Sequence, residues 1–258
     1  MSNQEIIQLY EEGKSLNALS LKSGLSTYKI KKILTENNIH IRTRSEQTIF
    51  TNMERGKKIN HNYFDILNNE NCYYLGFLAA DGCVRPNRNE IKIGLSSIDR
   101  EWLEEFKEKL QSERTIKDYI TSKGFAVSEL LFSSLKIKNE LSKYSIVPNK
   151  TELGVTMQNI PEQYKLAFVK GFFDGDGCFV INKNTKQCSV KFTSHTIGIL
   201  EEIKQFFNDG HIYPHENNYE LDFSTIPSLK IMNNFYNLDT PYLKRKKEKY
   251  EEALKIRI

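Results

Sequence analysis

The chain has 258 residues, of which 39% are hydrophobic and 11% aromatic, so it can bury a substantial core and is not intrinsically disordered. Its formal net charge is +4, and the first 60 residues hold 10 lysines and arginines against 6 acidic residues, so the whole basic excess lies at the N-terminus. No apolar run approaches the length that spans a bilayer and no basic-then-apolar signal opens the chain, which predicts a soluble intracellular protein with no membrane partner.

Apolar residues at helical spacing predict three short helices within residues 4–37, with Ser15 and Ser26 as the N-caps of the second and third. Three leucines of the second helix are expected to face the first: Leu16, Leu19 and Leu21. Three short helices, with a glycine between the second and third and lysines on the third, resemble a helix-turn-helix module of the resolvase or invertase type. The resemblance implies a small all-α helix-turn-helix domain over residues 1–44 that binds DNA.

In that geometry the first residues of the third helix meet base edges in the major groove, and the basic segment after it lies in a minor groove or along phosphates. The candidate DNA contacts of this domain are Ser26, Thr27, Tyr28, Lys31, Lys32, Arg42 and Arg44. The alternative is an ordinary solvated basic surface. Residues 45–68 are polar, which predicts a linker that is helical in part, and the catalytic part is expected from residue 69.

One stretch of the chain occurs twice. Residues 75–83 return 95 residues later as residues 170–178, with Gly, Phe, Asp, Gly and Cys in the same places. Each copy is an apolar run that ends in Asp-Gly, which predicts a buried helix ended by a glycine in the left-handed conformation. Gly76 and Gly171 each cost about 1 kcal/mol in a helix interior relative to alanine, so their presence favours close packing of the two helices.

Such packing would bring Asp81 and Asp176 together at two helix C-termini, where carbonyl groups and the helix dipole already concentrate negative charge. Two adjacent carboxylates favour a divalent cation that prefers hard oxygen ligands, such as Mg2+. The pattern therefore indicates a metal-assisted site for phosphodiester chemistry.

The repeated stretches resemble the motif of the LAGLIDADG homing endonucleases, in the form that carries two motifs on one chain. Residues 74–82 and 169–177 fill the nine positions of the motif, with Ala79 where an acidic residue is usual. The resemblance implies a site-specific double-strand DNA endonuclease that uses Mg2+ or Mn2+, cuts across the minor groove to leave short 3′ overhangs, and binds a long target as a monomer with internal pseudo-twofold symmetry.

Each motif is followed by the same order of predicted elements. After the first come two alternating strands within 84–97, a helix over 99–110, two strands within 115–133 and a helix over 135–144; the second half repeats this order and adds a terminal helix from about residue 243. The fold class is therefore α+β, with duplicated αββαββα halves over about 69–160 and 161–258. Their two antiparallel sheets would, by the resemblance, form a saddle over DNA.

The resemblance also implies roles for individual residues of the duplicated part. Metal would be held by Asp81 and Asp176 together with the residues before them, Ala80 and Gly175. One lysine in each half would neutralise developing charge, and Lys150 and Lys246, which stand 96 residues apart, are the candidates. The alternative for Lys246 is a surface position within a run of charged residues. The sheet residues suited to bases and phosphates are Arg85, Asn87, Arg88, Lys92, Asn182, Lys183, Asn184, Lys186, Gln187 and Lys191, each of which could equally be a solvated strand residue.

Other chemistries lack their patterns, because the chain has no P-loop, no HExxH and no cysteine spacing typical of zinc. Cys83 and Cys178 follow the two Asp-Gly pairs and are expected to be small buried packing residues. The ends of the chain lack the residues of an intein, which favours a mobile intron or a free-standing gene in a bacterial or phage-infected host or an organelle. Two alternatives stay open on the same scaffold: a DNA-binding regulator without activity, and an RNA-binding intron maturase.

Overall fold

The computed structural model of the chain describes residues 1–54 and 58–256. Backbone contacts divide the chain into a unit of residues 1–59 with 111–114 and a unit of residues 60–110 with 115–258. The helices are α1 Asn3–Glu11, α2 Leu16–Ser23, α3 Thr27–Glu36, α4 Arg44–Glu54, α5 Asn69–Asp81, α6 Arg100–Lys109, α7 Leu135–Ser142, α8 Lys150–Leu153, α9 Lys165–Asp176, α10 Gly198–Phe207, α11 Thr225–Asn237 and α12 Lys244–Lys255. The strands are β1 Gly82–Val84, β2 Glu90–Ser96, β3 Lys117–Ile120, β4 Ala126–Ser133, β5 Gly177–Asn182, β6 Gln187–Ser194, β7 His211–Pro214 and β8 Tyr219–Phe223. None of the described helices is both long and apolar enough to cross a membrane.

The first three helices of the N-terminal unit pack around a small apolar core. Its fully buried members are Ile6, Tyr10, Leu19, Ile30 and Leu34. The side chains of Ser15 and Ser26 accept hydrogen bonds from the third backbone N–H that follows each of them, so both serines are N-caps as expected. The prediction for Leu21 is wrong: its side chain is 89% exposed. Leu21 stands two residues after the buried Leu19, which places it on the opposite side of α2.

The basic segment after α3 is folded onto this unit rather than free. The Arg42 guanidinium donates to the backbone oxygens of Tyr10 and Lys14 at 2.6 and 2.7 Å and lies 3.8 Å from the Tyr10 ring centre. Helix α4 then follows, and Gln47 on it donates to the Gly13 oxygen at 2.8 Å. These contacts correct two predictions. The Arg42 side chain is not free to reach into a DNA groove, and the compact unit extends beyond residue 44.

The second unit confirms the predicted fold class. It contains two four-stranded antiparallel sheets with strand orders β1-β2-β4-β3 and β5-β6-β8-β7, so the same topology occurs twice. Helices α6 and α7 contact one sheet, and α10 and α11 contact the other. The inner strands β2 and β6 alternate between buried residues on the helix side and more exposed residues on the other face.

Helices α5 and α9 pack side by side at the centre of this unit, and glycine makes the close approach possible. A Cβ added at Gly76 would lie 1.9 Å from the backbone oxygen of Phe168, and one at Gly171 would lie 1.9 Å from that of Tyr73. The two contacts are reciprocal, as a pseudo-twofold axis between the helices requires. The interior glycines thus stand where any side chain would collide with backbone.

A buried polar network joins the halves beside this contact. Tyr73 donates to the Asp174 carboxylate at 2.7 Å and accepts from the Trp102 indole at 2.8 Å, and the Leu243 N–H donates to the same carboxylate at 3.2 Å. Asp174 occupies the motif position that Ala79 fills in the first copy. Burial raises the pKa of Asp174, and these donors oppose the cost. The departure from the motif at Ala79 therefore leaves one acidic residue at the interface, where its donors satisfy it.

Gly171→Ala should destabilise the protein by roughly 3 kcal/mol, because the new methyl group would overlap the backbone of α5 and the helices would have to separate. Urea unfolding measures the change. Gly198→Ala is the matched control, since nothing lies within 4 Å of a Cβ there, and it should change stability by less than about 1 kcal/mol. Equal destabilisation by both substitutions would contradict this description of the helix contact.

Candidate functional site

Each motif helix ends at an aspartate, and a strand begins at the next residue. Gly82 and Gly177 have φ values of −70° and −103°, so the prediction of a left-handed glycine cap is wrong. A Cβ at Gly82 would instead lie 2.5 Å from the Leu78 oxygen, and one at Gly177 would lie 2.7 Å from the Phe173 oxygen. The glycine is needed because the chain leaves the helix tightly against its last turn.

The two helix ends meet. A Cβ added at Gly175 would lie 2.3 Å from the Ala80 Cβ and 3.3 Å from the Asp81 Oδ2. The missing side chain of Gly175 therefore leaves room chiefly for the Ala80 methyl group, with the Asp81 carboxylate next to it. Asp81 and Asp176 both remain accessible to solvent, as residues that bind a substrate must be.

The two carboxyl groups are electrostatically unfavourable in this position. Partial loss of water contact and the neighbouring Asp176 charge raise the pKa of Asp81 to about 6, against the ordinary value of 3.8. The pKa of Asp176 is also raised by partial loss of water contact, and the ammonium groups of Lys150 and Lys246 oppose that rise. The structure thus brings all four predicted residues within electrostatic reach of one another.

The two lysines are bound to carbonyl groups at the helix ends. Lys150 donates to the Ala80 oxygen at 2.5 Å. Lys246 donates to the Phe173 oxygen, and to the Asp174 and Gly177 oxygens at 2.8 and 2.7 Å. Burial lowers the pKa of both ammonium groups, that of Lys246 to about 8. Lys246 is 5% exposed, so the alternative of a surface position is wrong for it.

The donor set at this point fits a hard divalent cation. Two accessible carboxylates with raised pKa values lie beside carbonyl oxygens at two helix C-termini, and carboxylate and carbonyl oxygens are the protein ligands that Mg2+ and Mn2+ accept. Histidine or cysteine ligands do not complete the set: the described residues contain no cluster of three or more His, Cys, Asp or Glu side chains. A cation here would rely on the two aspartates, the carbonyls, water and substrate oxygens.

The exposed face of each sheet begins directly after these aspartates and carries matched ion pairs. Lys92 lies 3.2 Å from Glu129, and Lys191 lies 2.7 Å from Glu220 and 3.1 Å from Asp222. Arg85 and Arg88 pair with Glu90 at 3.4 and 3.5 Å. The predicted basic residues therefore lie on the outer faces, but they already form ion pairs with acidic residues that the sequence did not predict as partners.

Cys83 and Cys178 belong to the same outer faces. Both are exposed, so the prediction that they are buried is wrong, whereas Cys72 and Cys188 are buried. In the strand register Cys83 stands opposite Lys92 and Cys178 opposite Lys191. The Asp-Gly turn sets the alternation of each first strand so that the cysteine points away from the helices.

The turns of the two first hairpins hold the remaining predicted contacts, and these turns are internally braced. Lys138 of α7 donates to the backbone oxygens of Arg85, Pro86 and Arg88 at 2.8, 3.0 and 2.9 Å. Asn182 accepts from two backbone N–H groups of its own turn at 3.1 Å, and Lys183 lies 2.6 Å from Glu252. The other predicted contact residues of these hairpins are exposed: Asn87, Asn184, Lys186 and Gln187.

In the N-terminal unit the predicted contacts of α3 lie on its outer side. Tyr28 is 77% exposed, Lys31 is exposed, and Lys32 lies 3.7 Å from Glu36. Ser26 is occupied as a cap, Thr27 is half-buried, and Arg44 is exposed at the start of α4.

Two parts of the chain match one protein family. Residues 169–256 match the LAGLIDADG endonuclease domain and residues 69–143 match the LAGLIDADG-like domain, and together they span more than half of the chain. The chain belongs to the LAGLIDADG family. Each match contains one motif aspartate, Asp81 in the LAGLIDADG-like part and Asp176 in the LAGLIDADG endonuclease part.

A curated relative and two solved structures are similar to this LAGLIDADG chain. It is 30% identical over 156 residues to uncharacterized protein MJ0314 of Methanocaldococcus jannaschii, covering 60% of this chain and 56% of that protein. The LAGLIDADG meganuclease I-AabMI, bound to uncleaved DNA, has a TM-score of 0.52 at 17% identity over 74% of this chain and 90% of its own. Meganuclease I-SmaMI, bound to uncleaveable DNA, has a TM-score of 0.51 at 13% identity over 71% and 88% of the two chains. The chain thus spans little more than half the length of this curated relative, and the likeness to the two solved structures concerns the fold.

Asp81→Asn should stabilise the LAGLIDADG protein at about pH 7.5 but not at about pH 4. The folded pKa of about 6 exceeds the ordinary 3.8, so the folded state binds more protons between these values and the stability contributed by this group falls as pH rises through them. Thermal unfolding in EDTA checks this. Glu248→Gln, which removes an exposed carboxylate on α12, is the control for the loss of a negative charge. An Asp81→Asn effect that is the same at both pH values would contradict the raised pKa.

Proposed function

We propose that this protein is a site-specific double-strand DNA endonuclease that hydrolyses phosphodiester bonds with a divalent cation, Mg2+ or Mn2+. The observation that carries the proposal is the convergence of Asp81, Asp176 and the ammonium groups of Lys150 and Lys246 at the paired ends of the motif helices. The cluster is open to a substrate because both aspartates are exposed. It suits a reaction in which negative charge develops on a phosphate.

Phosphodiester hydrolysis makes four demands on the site. A water oxygen forms a bond to phosphorus, the bond from phosphorus to the leaving oxygen breaks, water gives up a proton, and the leaving oxygen takes one up. Bound Mg2+ would supply charge neutralisation and an activated water. Asp81 and Asp176 would hold that cation, together with the carbonyl groups of Ala80 and Gly175, and the ammonium groups of the two lysines would keep positive charge close to the site.

The outer faces of the two sheets are the proposed DNA-binding surface. They start at the motif aspartates and carry lysine, arginine, asparagine and glutamine, whose side chains can contact phosphates and base edges. Since Lys92 and Lys191 already pair with carboxylates, DNA phosphates would have to replace those partners. Two motif halves on one chain allow a monomer to act on both strands of a long target.

The N-terminal unit is proposed to be a helix-turn-helix module that adds contacts to the same DNA. Its three-helix core, the left-handed Gly24 at the end of α2 and the exposed face of α3 support this. Lys31 and Lys32 would contact phosphates, and Tyr28 is the exposed aromatic residue placed to meet a base edge.

Wild-type protein should cut a selected duplex in Mg2+, and the double variant Asp81→Asn, Asp176→Asn should lose at least about 10³-fold in rate while it still binds. Duplexes that the protein retains from a randomised library in Ca2+ supply the target, which is then cloned into a plasmid. EDTA should stop cutting by the wild-type protein. Specific binding without any cutting would contradict the endonuclease proposal and leave a DNA-binding regulator.

The double variant Lys31→Gln, Lys32→Gln should weaken binding to the selected duplex and lower the salt slope of log K by about 1 for each phosphate that is no longer neutralised. Fluorescence anisotropy across a salt series measures both quantities. Lys22→Gln removes an exposed lysine from α2 and should leave the slope unchanged. An unaltered slope in the α3 variant would contradict the role of the N-terminal module.

A further inference from the structure

Lys150 and Lys246 differ in how many of their ammonium N–H groups already donate hydrogen bonds within the protein. An ammonium group has three N–H donors. Lys246 directs all of them at carbonyl oxygens of the second motif helix and its exit, those of Phe173, Asp174 and Gly177. Among the residues that the structure describes, Lys150 has a single acceptor, the oxygen of Ala80.

The surroundings of the two side chains differ in the same sense. Lys246 lies on the long helix α12 and is 5% exposed, so its side chain is almost entirely removed from solvent. Lys150 is half-buried and is the first residue of the short helix α8. The preceding Asn149 has φ 60°, a left-handed conformation that asparagine tolerates, and it turns the chain sharply into α8. Two protons of Lys150 are therefore left for a ligand.

Each lysine is bound to the end of a different motif helix. Lys150 donates to the Ala80 oxygen at the end of α5, and Lys246 donates to the Phe173 and Asp174 oxygens at the end of α9. Each helix end with its lysine is one half-site. Of these two half-sites, the one with Lys150 has a cation that can still donate a hydrogen bond.

We propose that the two half-sites are unequal: Lys150 is the catalytic lysine and contacts a scissile phosphate, whereas Lys246 is a structural residue that completes the end of α9. The strand held at Lys150 is cut first, and nicked DNA accumulates before the second strand is cut. This inference rests on the proposed endonuclease function. It assigns different roles to two lysines whose spacing in the chain suggests equivalent ones.

A supercoiled plasmid with one selected target tests the order of cutting. In Mg2+ the wild-type protein should convert it to an open circle and then to linear DNA, and strand-specific end labels should place the first break in the same strand in nearly all molecules. Lys150→Met should slow the cutting of that strand by on the order of 10²-fold, because the developing charge no longer has this donor. Its melting temperature should stay within about 2 °C of the wild-type value.

Lys246→Met should behave differently. Three carbonyl groups at a buried helix end lose their donor, so the melting temperature should fall by roughly 5 °C or more. At a temperature where the variant is folded, the strand order should be that of the wild-type protein. Lys249→Met, an exposed lysine on the same helix, is the control and should change neither quantity.

Several results would overturn the inference. Equal cutting of both strands without a nicked intermediate would do so, as would a Lys150→Met variant whose two strands are slowed equally. A Lys246→Met variant with an unchanged melting temperature and a defect in one strand would reverse the assignment. If Lys246→Met does not fold, its structural role stands, and the wild-type strand order with Lys150→Met decides the rest. No cutting by the wild-type protein would overturn the endonuclease proposal and this inference together.

Discussion

Backbone contact between α5 and α9 is the constraint on which the rest of the second unit depends. The two helices approach until Gly76 and Gly171 each face the other helix's carbonyl oxygen, at a distance that no Cβ could share. Such contact fixes the axial position and the rotation of both helices, because only the glycine faces can meet. The helix ends, the strands that leave them and the two sheets then follow in equivalent positions, which is how one short repeated motif organises nearly 200 residues.

The same contact concentrates negative charge at the candidate active site. Two helix C-termini and two aspartates converge, and four sources of negative charge would repel one another. Two lysines from outside the motifs, the half-buried Lys150 and the buried Lys246, bind carbonyl groups at these helix ends and leave the carboxylates to a cation. Stability and reactivity are therefore opposed here, since the carboxylates that would bind a cation are the groups the fold accommodates least well.

Much of this architecture was predictable because it depends on local patterns. The order of helices and strands, the duplication and the meeting of Asp81 with Asp176 follow from periodicity and a repeated motif. The sequence did not predict that Cys83 is exposed, because the conformation of the Asp-Gly turn determines which face of the sheet each residue of the following strand occupies. Nor did it predict the hydrogen bond from Arg42 to the Tyr10 oxygen or the ion pair of Lys92 with Glu129, because these partners are distant in the chain and meet only through tertiary packing.

The central claim is that one pair of motif aspartates forms a cation site that acts on DNA. The most direct test is anomalous scattering from Mn2+ in crystals of the protein with its selected duplex. The account predicts a peak within ligand distance, about 2.0–2.3 Å, of carboxylate oxygens of Asp81 and Asp176 and of a DNA phosphate oxygen. DNA bound on the outer faces of the sheets with no Mn2+ at these two residues would contradict it.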